Sequence, residues 1–214
     1  MAAPERSEAE RSESDRRRIW QLAAFALAAV AVAAVWIVAV SRGGRGPSPS
    51  GGSPNVYPKE TLPPPSERSL ARAAADAGCS VRSFPSFGRA HTSARVHYRT
   101  NPPTSGPHNP IPAPDGIYDL PASTTKLVHS LEHGRVIFQF VPGASPKVRG
   151  ELKALVEEDP RHVILTANAT QMPFEVAATA WRHYIGCPRV ASATFDALRD
   201  FKIAYRDHGP EQVP

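Results

Sequence analysis

The sequence predicts an α+β protein: one N-terminal transmembrane helix, a Pro/Gly/Ser linker, and a small mixed α/β sandwich domain. Three observations carry this reading. Ile19 to Val40 is a run of 22 residues without a charge. Residues 41–66 are rich in Gly, Pro and Ser and show no apolar period. Beyond them, strand-like and helix-like patterns alternate over the length of one ordinary domain.

Residues 1–18 are charged, mixed in sign and without apolar periodicity, the composition of a disordered cytoplasmic tail. The apolar run follows. At 1.5 Å of rise per residue, a helix of that length spans the roughly 30 Å hydrocarbon core of a bilayer. A lone apolar segment in lipid has to be helical, because a helix satisfies its own backbone polar groups. Trp20 and Trp36 sit near its ends, where amphipathic rings prefer the headgroup level. Arg6, Arg11, Arg16, Arg17 and Arg18 precede the run, against Arg42 and Arg45 behind it. That bias keeps the N-terminus cytoplasmic and places the remainder outside. A cleaved signal peptide is the rival, since Ala39-Val40-Ser41 loosely fits a small-x-small site. The run exceeds the about 7–15 residues of a signal h-region, and either reading exports the domain. The expected location is the cell membrane, with the bilayer as partner through Ile19–Val40.

The linker, residues 41–66, stiffens toward polyproline II at Pro63-Pro64-Pro65 and is expected to be disordered. The folded unit is then residues 67–214. In it, Ser66 to Ala77 reads as a serine-capped helix. Arg95 to Arg99 alternates like a strand. Asn101 to Pro114 is a proline-rich loop. Arg135 to Val141 is the clearest strand, stopped by Pro142-Gly143. Ser145 to Glu158 is a helix with Ser145 as cap, Pro146 in the first turn, and Val148, Leu152, Leu155 and Val156 as its apolar stripe. Val163 to Thr166 and Val176 to Trp181 read as strands, and Thr194 to Tyr205 as a closing helix.

The formal net charge of +5 comes partly from the arginine-rich flank of the apolar run. No basic stripe with interleaved aromatics is present, so nucleic acid is not an expected partner. The two cysteines, Cys79 and Cys187, suit a disulfide in an exported domain. Two unconnected buried thiols are the alternative. A cysteine metal site is disfavoured, because neither has a second ligand at close spacing.

Two constellations could carry chemistry. In Asn101-Pro102-Pro103-Thr104-Ser105-Gly106-Pro107-His108, prolines lock the backbone and Gly106 permits a tight turn. Such a loop either forms a rigid surface or fixes His108 in place. In Leu127-Val128-His129-Ser130-Leu131-Glu132-His133-Gly134, a short helix capped by Ser123 or Thr124 and ended by Gly134 puts His129 and His133 on one face. That i, i+4 spacing brings two imidazoles to one ion, with Glu132 behind them. His108, or alternatively His97, completes a zinc or copper site. Internal hydrogen bonding of the same histidines is the structural alternative. His129 to His133 also fits H-x-x-E-H, the inverted zinc-protease pattern, but so small a domain shows neither a third helical ligand nor a large cleft. No G-x-S-x-G elbow and no phosphate-binding glycine loop occurs.

These blocks, YRTNPPTSGPH (Tyr98 to His108) and LVHSLEHGRV (Leu127 to Val136), are joined by Gly116-Ile117-Tyr118, a Trp181 to Cys187 segment and Tyr205 to Pro210. With Cys79 and Cys187 around them, the chain resembles an uncharacterised, membrane-anchored "domain of unknown function" family common in actinobacteria. It departs from that pattern at Arg135, where a second small residue is expected after Gly134. The resemblance implies an architecture and no established catalytic residues. Two functional classes follow. One is an extracytoplasmic zinc- or copper-binding domain using His108, His129 and His133, with Glu132 in support. The other is a non-enzymatic envelope protein that contacts another envelope protein or a wall polymer. A metal-dependent hydrolase ranks behind both.

Overall fold

Val136-Ile-Phe-Gln-Phe140, buried along its whole length, is a strand at the centre of a six-stranded mixed sheet. The computed structural model describes residues 56–66, 69–211 and 213. The Ile19–Val40 segment lies outside the described residues. Among the described residues no helix is long and apolar enough to cross a membrane.

The strands are β1 (Ser80–Ser83), β2 (Gly116–Ile117), β3 (Val136–Phe140), β4 (Val163–Ala167), β5 (Val176–Ala180) and β6 (His183–Cys187). The helices are α1 (Leu70–Asp76), α2 (Thr124–Glu132), α3 (Pro146–Glu158) and α4 (Ser192–Tyr205). The sheet order is β1-β6-β5-β3-β4-β2. β3 and β4 pair in parallel, as do β4 and β2, while β5, β6 and β1 add antiparallel. Parallel neighbours need a long crossover, and α3 supplies it between β3 and β4. Its start is as the sequence suggests: the Ser145 hydroxyl accepts from the Val148 amide and Pro146 fills the first turn.

Strand side chains alternate between two faces. Phe138, Phe140, Leu165, Ala178 and Ile185 point to one face and pack with Leu152 and Leu155 of α3 and Leu198 and Phe201 of α4. Ile137 and Ile164 point to the other, with Leu127, Val128 and Leu131 of α2 and with Trp181. The sheet therefore has helices on both faces. On the α2 face three buried polar residues satisfy one another, Asn168 donating to Gln139 and Gln139 to Thr179. Cys79 and Cys187 form a disulfide that ties the residue before β1 to the end of the adjacent β6.

Several expectations need correction. Arg95–Arg99 forms no strand. Its alternation reflects the half-burial of Val96 and Tyr98 against exposed Arg95, His97 and Arg99, without a pairing partner. α1 is capped by Ser69 and not by Ser66. β1, β2 and β6 go unseen in the sequence, being short or polar at one end. The linker boundary also moves. Val56 to Ser66 lies along the domain and belongs to the same compact unit. Tyr57 is 5% exposed, sets its ring edge against Phe140 and donates its hydroxyl to the Tyr118 carbonyl. Ser66 donates to Asp196, and Arg199 donates to the Pro63 carbonyl. Prolines hinder a helix or a central strand, but they do not hinder an extended strap that docks through side chains and carbonyls.

Candidate metal centre

α2 ends where its sequence says it should. Gly134 adopts φ +78°, the left-handed conformation that closes a helix, and His133 stands at the C-cap. His129 and His133 consequently project from one side, with ring centroids 4.5 Å apart and the two Nε2 atoms 2.9 Å apart. His129 Nδ1–H donates to the Asn109 carbonyl at 2.6 Å. A carbonyl can only accept, so this bond places the proton on Nδ1 and leaves the lone pair on Nε2.

The proline loop delivers His108, which is 0% exposed. Tyr98 holds the loop, its hydroxyl donating to the Pro107 carbonyl and its ring lying 3.3 Å from where a Gly106 Cβ would stand. His108 Nδ1–H donates to the Gly106 carbonyl at 2.8 Å, which again directs an Nε2 lone pair inward. The backbone of His108 pairs with the segment around His91: its amide donates to Ala90 and its carbonyl accepts from Thr92. This bridge brings the His91 ring to 5.1 Å from His108 and 4.9 Å from His129, centroid to centroid.

Glu132, on the last turn of α2, is 1% exposed. One carboxylate oxygen takes Arg89 Nε, and Arg89 also reaches Glu211 at 2.8 Å. The other oxygen lies 2.9 Å from His108 Nε2, yet the two atoms are misaligned and neither forms a hydrogen bond. A buried carboxylate oxygen and a buried imidazole nitrogen thus lie side by side, where a shared proton or a metal ion would satisfy both.

Among the described residues two groups place their ligand atoms within 4.8 Å of one another: His91, His108, His129 and Glu132, and His129, His133 and Glu211. Both are compatible with imidazole-rich zinc or copper coordination. Burial pushes the pKa values of His129 and His133 below the ordinary 6.5, and neighbouring histidines push further in the same direction. Both rings are therefore neutral near pH 7, the form that binds metal.

Of the residues singled out from the sequence, His108, His129 and Glu132 come together, while His133 falls in the second group and meets the first through His129. Glu132 offers an oxygen alongside the imidazoles and does not merely stand behind them. His97 is exposed and belongs to neither group. His91, Arg89 and Glu211 carry no sequence signal, being isolated polar residues brought in by loop pairing and by the C-terminal segment.

That segment is packed tightly. A Cβ on Gly209 would stand 2.2 Å from the Glu132 carbonyl oxygen and 2.3 Å from the Gly134 nitrogen. Gly209→Ala should lift residues 207–211 and, with them, Glu211. The expected cost is about 1–3 kcal/mol of unfolding free energy, the range for overpacking, measured by urea denaturation. An unchanged midpoint would mean that the segment yields freely.

No curated protein and no solved structure matches the chain. A family does: residues 90–213, running from just before His91 to beyond Glu211, match DUF3105, described as a protein of unknown function. With more than half of its length matched, the chain belongs to the DUF3105 family of proteins of unknown function.

Proposed function

We propose that this chain is a single-pass membrane protein whose exported domain binds one zinc or copper ion through histidines, with His91, His108 and His129 as imidazole ligands and Glu132 completing the set. The observation that carries the reading is the pair of buried, unbonded atoms, His108 Nε2 and Glu132 Oε2. Beside them the His129 ring is fixed through Nδ1 by the Asn109 carbonyl, as His108 is by Gly106, which leaves Nε2 of each as the nitrogen available to a metal. Hydrolysis is less well supported, because the Glu132 carboxylate that would serve as base is occupied by Arg89 and closed to solvent.

The test is elemental analysis of the full chain purified in detergent, with about one equivalent of zinc or copper expected. Affinity should fall as pH falls, since protons compete for the ring nitrogens. Burial holds His129 below 6.5, so protonation of this ligand sets in on the acid side of that value. Titrations at pH 7.5, 6.5 and 5.5 check this, and an affinity that does not decline toward pH 5.5 would contradict imidazole ligation.

Ile111 and Leu120, 62% and 78% exposed in the segment between His108 and α2, favour a second reading in which this loop contacts an envelope protein or wall polymer. A wild-type protein without stoichiometric metal would shift the conclusion there. The arginine bias around Ile19–Val40 supports the membrane topology. A Ser48→Cys probe should react with an impermeant maleimide on intact cells, and labelling only after lysis would reverse the orientation.

A further inference from the structure

His129 Nδ1 is engaged with the Asn109 carbonyl, so Nε2 is the one nitrogen that this ring can offer a metal. That ring is common to the group of His91, His108 and Glu132 and to the group of His133 and Glu211. One lone pair serves one ion at a time. Charge imposes the same limit. Arg89 already bridges Glu132 and Glu211, and two dications beside an arginine would be set against only these two carboxylates.

We propose that the two groups are successive seats of a single late transition-metal ion. His133 and Glu211 form an outer seat, and His91, His108 and Glu132 form an inner one. His129 belongs to both and hands the ion across. This rests on the metal-binding reading above. The inner seat reaches the surface at His91, but its carboxylate is buried, and the outer seat opens at its own, the Glu211 side chain being 39% exposed against 1% for Glu132. The outer carboxylate attracts a hydrated cation. The inner seat offers three imidazoles where the outer offers two, and its His108 and Glu132 atoms gain the partner they lack. Late transition metals prefer the richer imidazole set, so the ion moves inward. The exchange is a ligand substitution without redox change: His133, Glu211 and a coordinated water leave as His91, His108 and Glu132 bind. With the two Nε2 atoms 2.9 Å apart, the ion stays on His129 throughout.

Stopped-flow fluorescence tests this in the full chain in detergent. Trp20→Phe and Trp36→Phe leave Trp181 as the one tryptophan of the original three, its ring 6.3 Å from His108 and within quenching range of Cu(II) at the inner seat. Mixing with copper(II) chloride should quench Trp181 with an end point of one equivalent. Glu211→Gln should slow the quenching by about tenfold, the lower end of what electrostatic capture contributes to association rates, and His133→Ala, which removes the other outer ligand, should slow it as well, with the end point staying at one in both. His108→Ala should weaken equilibrium binding instead. Glu211→Gln alters a partly exposed side chain, so a folding defect in His133→Ala would not leave the question open. Two equivalents bound by the unsubstituted histidine set, or quenching rates indifferent to both substitutions, would overturn the handover. If no stoichiometric copper binds at all, the metal-binding reading itself falls.

Discussion

His129→Ala is expected to cut zinc or copper affinity by more than about 100-fold, since losing even a residue that merely orients a ligand typically costs 10- to 100-fold. No other residue belongs to both ligand groups. Its removal therefore takes one imidazole from each seat and breaks the contact between them. The Asn109 carbonyl, which orients the ring, also loses its donor. His162→Ala is the control. His162 is bonded to Asp207 at 2.6 Å and lies in neither group, so its loss should leave the metal content unchanged. Competition with a chromophoric chelator measures both variants. A stoichiometric ion that survives His129→Ala would place the metal elsewhere.

Replacing Cys79 and Cys187 together by serine should lower the unfolding free energy by about 2–5 kcal/mol. The bond closes a loop of 108 residues, so the unfolded chain gains much conformational freedom when it is cut. Cys187 is 0% exposed, and a serine hydroxyl there adds the cost of a polar group in an apolar core. Urea unfolding of the oxidised protein and of the variant gives the difference directly. A loss below about 1 kcal/mol would mean that residual structure in the unfolded chain already supplies the constraint. The disulfide packs with the core on one face of the sheet and the histidines gather near the other. The folded variant should accordingly keep its metal affinity, which separates this effect from that of His129→Ala.

What the sequence made legible was local. The α3 segment announced its cap, its first-turn proline and its stripe within 14 residues, from Ser145 to Glu158. β3 was legible because five consecutive residues are buried on both faces. The i, i+4 pair on α2 followed from helix geometry alone. What escaped was non-local. β2 is only two residues long, and β1 is exposed at three of its four positions, so neither carries a hydrophobic period. His91 reaches the site through backbone pairing with His108, which no spacing rule encodes. Arg89 and Glu211 meet although 122 residues separate them. The strap from Val56 to Ser66 was obscured by composition: its prolines signal the absence of regular structure, while its docking depends on Tyr57 finding Phe140. Arg135 resolves the departure from the family-like pattern after Gly134. Its guanidinium donates to the His133 and Val213 carbonyls, joining the end of α2 to the C-terminal residues in a way that a small side chain could not.

The centre is drawn from four stretches of chain, around Arg89–His91, at His108, along His129–His133 and at Glu211. No fragment ending before residue 211 contains all of its ligands. A nascent or partly translocated chain has the inner donors once residue 132 has emerged, whereas the outer seat must await Glu211. On the proposed topology those residues reach their places outside the cytoplasm. The ion acquired is then chosen by what the envelope supplies at that moment, because selectivity among late metals depends on availability as well as on intrinsic affinity. An identical cluster completed inside the cell would meet a different pool and could fill with a different element.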